Sequence, residues 1–419
     1  MAAATSSSSS SSSSAAAAGS GPPPPPPPKI LLAKPGSGPV GSTVAKFSRS
    51  GGGEDESVVL RSRLPPVGSL NLLSDSWDFH TDRILPFLTE NTDFTVISII
   101  GPTSVGKSTI LNELYGFNES SPGMLPPFTM QSEETRALAR HCTTGIELRI
   151  SAERLILLDT QPLFSPSILA EMIRPDGSSS VSVLNGESLS ADLAHELMGI
   201  QLGVFLVSIS HVLLVVSEGV HDINMWHLML TVDLLKHGIP DPSLLTASHS
   251  HGSNPGQDKE NKDILQEPAE EFLASPLFIH TKLRDQYLSP RSITQLRQAL
   301  SQYFSSSSFG VKFQNTMRKH SDSSGSDTRT DDLGSEGPKL FVLPNKSEDD
   351  SQRAQYGSYI SMLEQLRNQI LSMNCQPFAK TVSERDWLRN SARIWELVKR
   401  SPVIAEYSRT LQSSGLFRR

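Results

Sequence analysis

The 419-residue sequence predicts an α/β fold with a mostly parallel sheet, and three observations lead there. The runs "DFTVISIIG" (93–101), "RLILLD" (154–159), "HVLLVVSEG" (211–219), "SPLFIHTK" (275–282) and "KLFVLP" (339–344) are apolar almost throughout, as in strands buried on both faces. Helical stretches alternate with these runs, which is the pattern of parallel strands joined by crossovers. The glycine-rich "GPTSVGKS" (101–108) follows the first run directly and opens a helix.

In chain order, residues 1–63 are rich in Ser, Ala, Pro and Gly and are expected to form a disordered arm. The heptaproline Pro22–Pro28 suits a stiff polyproline II rod, and "KILLAKP" (29–35) is an apolar island beyond it. The arm has no apolar h-region of a secretory signal. Its Ser/Ala bias, without an acidic residue before Glu54, also suits a plastid-type transit peptide, although retention on the mature protein is the expectation. A domain over 64–350 should begin with a helix around 74–88, capped by Ser74 or Asp75, ahead of the first buried strand. "KSTILNELYG" reads as a helix with Gly116 as its C-cap. A polar loop covers 118–144, and "IELRIS" and "RLILLD" are strands separated by a turn around Ser151–Glu153. A helix is expected at 189–204, and "INMWHLMLTVDLLKHG" is an amphipathic helix ending at Gly238. Disordered inserts are expected at about 240–270 and 305–337, flanking the "SPLFIHTK" strand and the helix "PRSITQLRQALSQYF" with Pro290 near its start. Three helices, about 352–373, 381–400 and 402–413, make a C-terminal segment, 351–419, expected to pack on the domain. In it Ile394, Trp395 and Val398 form a stripe at helical spacing, and Ser401–Pro402 is a cap followed by an N1 proline.

A formal net charge of -7 lacks the basic excess of a nucleic-acid binder, so no direct nucleic-acid contact is expected. Two cysteines, Cys142 and Cys375, cannot make a disulfide scaffold and suit a reducing compartment. The longest near-apolar run, "LGVFLVSISHVLLVV" (202–216), is shorter than the roughly 20 residues a bilayer requires and contains His211, so no membrane span is expected. His249 and His251 in "HSHGSN" lie in a polar insert and read as solvated, and no Ser-His-Asp, zinc or paired-carboxylate constellation stands out.

The chemistry is concentrated at the glycine loop. "GPTSVGKS" fits G-x-x-x-x-G-K-[ST], whose backbone N–H groups and helix N-terminus make an anion nest. The candidate nucleotide-binding residues are Gly101, Thr103, Ser104, Val105, Gly106, Lys107, Ser108 and Thr109, with Lys107 meeting the β-phosphate and Ser108 the metal. Asp159 ends a strand, where ligand crevices open in such sheets, and would serve Mg²⁺ with Ser108 through phosphate and water. Thr143 and Thr144 precede the strand before it and fit a switch position. Three residues beyond Asp159, where a GTPase usually has a glycine whose N–H reaches the γ-phosphate, stands Pro162, which has no N–H. Losing such a donor typically costs about 10²–10³ in rate, so binding without significant hydrolysis is expected. Base recognition is ambiguous. "HTKLRD" has Thr281 and Lys282 but places the acid, Asp285, one residue late for Asn/Thr-Lys-x-Asp; "PNKSED" has Asn345 and Lys346 and then departs. The cofactors implied are therefore a purine nucleotide, GDP/GTP or ATP, and Mg²⁺.

Thr-Thr-Gly-Ile leading into a strand resembles the dynamin-related large GTPases of the guanylate-binding and atlastin type, which implies a G-fold. "LLDTQPLFSPSIL", "SHVLLVVSEGVHDINMWHLMLTVDLLK" and "DWLRNSARIWELVKRSPVIAEYSRTL" resemble the Smg-nine family of nonsense-mediated mRNA decay over roughly 64–413. "ILLAKP" resembles the short repeats of that family's disordered arm. The resemblance implies a P-loop G-fold subunit with a catalytically silent nucleotide site. It also implies pairing with the Smg-eight protein to control the Smg-one kinase, which phosphorylates the Upf-type RNA helicase and so links the chain indirectly to mRNA. The location expected is the cytoplasm, or the nucleus as well. Two other readings stay open: an active dynamin-related GTPase, which would want intact DxxG and N/TKxD motifs, and an organellar P-loop NTPase with a cleaved transit peptide.

Overall fold

The structure, a computed structural model, describes residues 70–117, 125–138, 140–173, 189–249, 271–310, 338–346 and 357–415. The expected arm, 1–63, lies outside the described residues, as do 250–270 and 311–337 of the two expected inserts.

Among the described residues, seven strands form one sheet in the order β1-β3-β4-β2-β5-β6-β7. They are β1 (Asn71–Leu73), β2 (Thr95–Ile100), β3 (Ile146–Ile150), β4 (Leu155–Thr160), β5 (Val212–Glu218), β6 (Ser275–Leu283) and β7 (Lys339–Pro344). β4, β2, β5, β6 and β7 run parallel to one another, whereas β3 pairs antiparallel with both β1 and β4. The sheet is thus mixed and mostly parallel. β2 lies at its centre; the chain continues to β4 on one side and later to β5 on the other. That reversal opens a crevice beyond the carboxyl ends of β2 and β4.

Both faces of the sheet are covered, and this is why its strands read as unbroken apolar runs. Along β2, Val96 and Ile100 face one core with Leu213, Val215 and Phe278, while Ile97 and Ile99 face the other with Leu157, Leu214 and Ile279. The second face is closed by helix α2 (Lys107–Tyr115) and helix α8 (Tyr359–Leu371), through Ile110, Leu111, Leu114, Leu363, Leu366 and Ile370. The first is closed by α5 (Ala191–Ile209), α6 (Ile223–Leu235), α7 (Pro290–Tyr303), α9 (Glu384–Lys399) and α10 (Pro402–Ser414). Short helices α1 (Thr81–Ile84), α3 (Glu133–Ala137) and α4 (Pro166–Met172) lie in the connections. α5 is long and apolar enough to cross a membrane by length and composition, yet most of it is buried within the fold. The apolar run 202–216 divides between α5 and β5 at Ser210–His211.

Several elements differ from expectation. The helix expected at 74–88 shrinks to α1 and a 3-10 turn, Leu85–Phe87. Residues 71–73, just ahead of it, pair with β3, and a turn follows in which the Asp78 N–H donates to Ser74 Oγ at 3.1 Å. Trp77 takes a positive φ of 67° there and stacks on Trp395 with ring centroids 5.2 Å apart, so tertiary burial overrides the local pattern. α5 runs five residues beyond its expected end at 204, because its C-terminal turn stays apolar and buried. The folded body also reclaims the edges of both inserts. Pro242–His249 is 3-10 helical, and buried Asp241 accepts from the Ala379 N–H at 2.8 Å. Phe309 is buried beside Phe304, and the Ser308 N–H donates to Asp233 Oδ2 at 2.8 Å.

The C-terminal helices follow the sequence closely. Ser401 caps α10 at Ile404 N–H, with Pro402 in its first turn. Trp387, Ile394, Trp395 and Val398 are fully buried, and the Trp387 Nε1–H donates to the Ile209 carbonyl at 2.8 Å, tying α9 to the end of α5.

Candidate functional site

The loop joining β2 to α2 is shaped by where side chains cannot go. A Cβ on Gly101 would lie 2.2 Å from the Val216 carbonyl oxygen, so only glycine passes between β2 and β5. Ser104 and Gly106 take positive φ, 63° and 93°, and the chain then enters α2 at Lys107. The buried Lys107 ammonium reaches back to the Gly101 and Pro102 carbonyls at 3.0 and 2.9 Å, bracing the loop. Burial lowers its pKa to about 8, with the Asp159 carboxylate opposing the shift. Val105 anchors the loop in the core beneath it, and its carbonyl accepts from Thr281 Oγ1 at 3.0 Å. Thr103 Oγ1 is buried without a hydrogen-bond partner among the described residues.

Asp159, fully buried near the end of β4, gathers the polar groups. Its Oδ2 accepts from Ser108 Oγ at 2.7 Å and from Thr143 Oγ1 at 3.0 Å; its Oδ1 accepts from the Thr160 N–H at 3.0 Å. Burial raises the carboxyl pKa, and Lys107 and these donors oppose it. Of the two candidate switch threonines, Thr143 therefore meets Asp159, while Thr144 enters the turn at Gly145. Gly145 takes φ 60°, and a Cβ there would sit 2.0 Å from the Leu73 carbonyl oxygen, which fixes the approach of β1.

The segment after Asp159 is stitched down on both sides of Pro162. The Gln161 N–H donates to the Gly145 carbonyl at 2.9 Å, and the Gly145 N–H donates to Gln161 Oε1 at 3.1 Å. The Leu163 N–H donates to the Gly101 carbonyl at 3.0 Å, so Pro102 and Leu163 form a parallel bridge. Pro162 lies between these anchors on the wall of an open cleft of about 340 Å³, together with Thr103, Ser104, Gly106, Lys107, Ser108 and Thr109.

Of the base-recognition candidates, Thr281, Lys282 and Asp285 do not line the cleft, whereas Lys346 of the second near-match does. Thr281 is committed to the Val105 and Ser217 carbonyls. Lys282, at φ 57°, extends its ammonium to Glu218 Oε2 at 2.7 Å. Asp285 opens an exposed 3-10 turn. The cleft instead brings in Gln131, Arg136, His141, Lys346 and Tyr359. Gln131 Oε1 accepts from Ser104 Oγ at 2.6 Å, and His141 Nδ1 is 2.8 Å from Ser167 Oγ. Nothing periodic in the sequence marks Gln131, Arg136 or His141. Lys346 carried only the partial signal of an Asn-Lys pair, and Tyr359 carried none. His249 lies in the 3-10 helix 242–249 and His251 outside the described residues. Among the described residues no group of three or more His, Cys, Asp or Glu could hold a metal.

No family model matches the chain. Over 384 residues, 86% of this chain and 71% of the relative, it is 27% identical to the nonsense-mediated mRNA decay factor SMG9 of Xenopus laevis. It is 29% identical to the factor of the same name from Salmo salar over 360 residues, 81% of this chain and 67% of the relative. The chain is thus similar to SMG9 decay factors over most of its length. SMG9 of Caenorhabditis briggsae is 40% identical over a shorter stretch of 101 residues, 24% of this chain and 26% of that protein.

In this chain the residues at the loop suit a phosphorylated ligand with a hard cation. Gly106 has open space where a Cβ would stand, and the Thr103 hydroxyl is an unspent polar group in the loop. Ser108, Thr143 and Asp159 converge as oxygen donors of the kind Mg²⁺ takes.

Proposed function

We propose that this chain is a nucleotide-binding subunit of nonsense-mediated mRNA decay that holds its nucleotide without hydrolysing it. The reading gives the sheet a P-loop G-fold, supported by central β2 with β4 and β3 to one side and β5, β6 and β7 to the other. Gly101 to Thr109 would cradle the phosphates of a purine nucleotide, GDP/GTP or ATP, with Lys107 at the β-phosphate. Ser108 and Asp159 would hold Mg²⁺ through phosphate and water, and Thr143 would steady the carboxylate. The bound metal would neutralise phosphate charge.

The observation that carries the non-hydrolysing part is the anchoring of Pro162. The residue has no N–H to offer a γ-phosphate, and its neighbours Gln161 and Leu163 are tied to Gly145 and Gly101. A switch has to order and release such a segment. Here both flanks already use their backbone donors, so di- and triphosphate would meet nearly the same surface. The nucleotide then acts as a structural ligand. A ligand that binds only the folded state stabilises it by about 2.7 kcal/mol at a hundred times its dissociation constant.

On this reading the chain is a regulatory subunit and not an enzyme. It pairs with the Smg-eight protein, controls the Smg-one kinase and reaches mRNA only through the Upf-type helicase. It acts in the cytoplasm, or the nucleus as well, without membrane attachment. Its names for those partners come from the family resemblance; what supports the decay role is the similarity to SMG9 factors. The test is affinity purification of the tagged chain with mass spectrometry, and chromatography of the nucleotide released on denaturation. Recovery of Smg-eight and Smg-one proteins with a retained nucleotide is the expected result. A preparation that carries nucleotide but recovers neither protein would refute the adaptor role.

A further inference from the structure

The cleft at the glycine loop does not end at α2. It runs into a groove of about 610 Å³ between α2 and α8, and the two share Thr109, Met130, Lys346 and Tyr359. Chemistry gives this depression a direction. Lys107, Ser108 and Asp159 form the end that suits terminal phosphates and a cation. Thr109, one residue deeper into α2, lies where the helix N-terminus would meet the phosphate nearest the sugar. The next walls along the groove are Lys346 and Tyr359.

We propose that Tyr359 and Lys346 form the nucleoside subsite, with the Tyr359 ring stacking on the base of a nucleotide whose phosphates sit at 101–109. The inference rests on the nucleotide reading above and adds where its base goes. Three features support it. Tyr359 is half-buried and packed against the core that holds Leu363 and Leu366, so its ring is backed rather than free to swing. Its helix is fixed at that end by Ser358, whose Oγ accepts from the Ser361 N–H at 3.1 Å. The segment that would otherwise grip a base is turned to other uses: Thr281 on the Val105 carbonyl, Lys282 on Glu218, and Asp285 in an exposed turn. Stacking on an aromatic ring tolerates any base, because every base has a π-face. The missing Asn/Thr-Lys-x-Asp spacing then has a consequence: adenine and guanine nucleotides bind with similar affinity.

The test is calorimetric titration of the full chain, with Mg²⁺, against ADP, GDP and inorganic tripolyphosphate. ADP and GDP should bind the wild type within about tenfold of each other. Base stacking contributes about 1–3 kcal/mol, so Tyr359→Ala should weaken both by about fivefold to 150-fold. Tripolyphosphate, which has no base, should bind that variant as it binds the wild type, and this also reports that the loop is folded. Tyr359→Phe should keep the nucleotide affinity, and Lys346→Ala should lower it. Unchanged ADP affinity in Tyr359→Ala, equal loss in Tyr359→Phe, or a loss produced by Asp285→Ala instead would overturn the subsite. In each of those cases, tripolyphosphate binding by the wild type would leave the loop's phosphate reading standing. A wild type that binds neither nucleotide nor tripolyphosphate would overturn both.

Discussion

Acid should destabilise this fold through His211, and the size of the effect follows from its surroundings. The ring is buried at the start of β5, where its Nδ1 accepts the Val96 N–H at 2.9 Å. That bond requires the bare nitrogen, so the proton of the neutral ring sits on Nε2. Phe94, Phe272 and Phe378 pack around it with centroids 6.0, 6.4 and 4.4 Å away, and Asp241 is the charged group facing it. Burial lowers its pKa from 6.5 to about 4 despite the Asp241 carboxylate. The unfolded chain therefore takes up the proton first. The contribution is complete above about pH 6.5 and is lost as pH falls towards 4. Linkage makes the loss about 2 kcal/mol at pH 5 and about 3 kcal/mol at pH 4. At about 2 °C per kcal/mol for a domain of this size, the melting temperature should drop by about 4 °C between pH 7 and pH 5 on account of this residue. The assay is calorimetry at pH 7, 6 and 5 for the wild type and His211→Gln, whose amide oxygen can still accept the Val96 N–H. The variant should start lower and fall less steeply. An acid slope in His211→Gln as steep as in the wild type would refute the reasoning.

His280, with its pKa lowered to about 4 chiefly by burial, should add a second loss of about 2 kcal/mol at pH 5, visible as a shallower acid slope in His280→Gln. Lys107→Ala should abolish nucleotide retention, measured by chromatography after denaturation, and remove the rise in melting temperature that added nucleotide gives. Phosphate release from GTP or ATP should be negligible, and partner affinity should be similar with di- and triphosphate; turnover on the order of 1 s⁻¹, lost in Asp159→Ala, would contradict the role given to Pro162. Gly145→Ala should cost upwards of about 2 kcal/mol in urea unfolding, because its φ of 60° and the Leu73 carbonyl oxygen 2.0 Å from a Cβ leave no room. Trp395→Ala should cost about 3–5 kcal/mol, as it removes a fully buried ring that contacts Trp77 and Phe205 at 5.2 Å each.

Much of this protein was legible in the sequence wherever the physics is local. Buried parallel strands declare themselves because both faces are apolar, and β2, β4, β5, β6 and β7 were all placed from such runs. A glycine loop between strand and helix is a backbone requirement, so Gly101 and Gly106 could be read from spacing alone. The Gly116 and Ser401 caps satisfy helix ends within a few residues of themselves, and both stand as expected. The absent N–H of Pro162 is a property of one residue.

What stayed hidden depends on partners far along the chain. β1 is three residues long and exists because β3 offers it an edge; nothing in the sequence marked these residues as a strand. Trp77 accepts an unfavourable φ for the sake of Trp395, 318 residues away. The choice of Thr143 over Thr144 at Asp159 is decided by the turn that Gly145 makes under the Leu73 carbonyl. The near-match at Thr281, Lys282 and Asp285 could not be weighed from spacing, whereas the fold shows Thr281 bonded to the Val105 carbonyl and Lys282 to Glu218. Gln131, Lys346 and Tyr359 reach one cleft from two loops and a helix start that share no periodicity. Local rules fix which backbone shapes a stretch can take, but a side chain's role is set by whichever donor, acceptor or ring the tertiary fold brings within a few ångströms, and only the packed chain decides that.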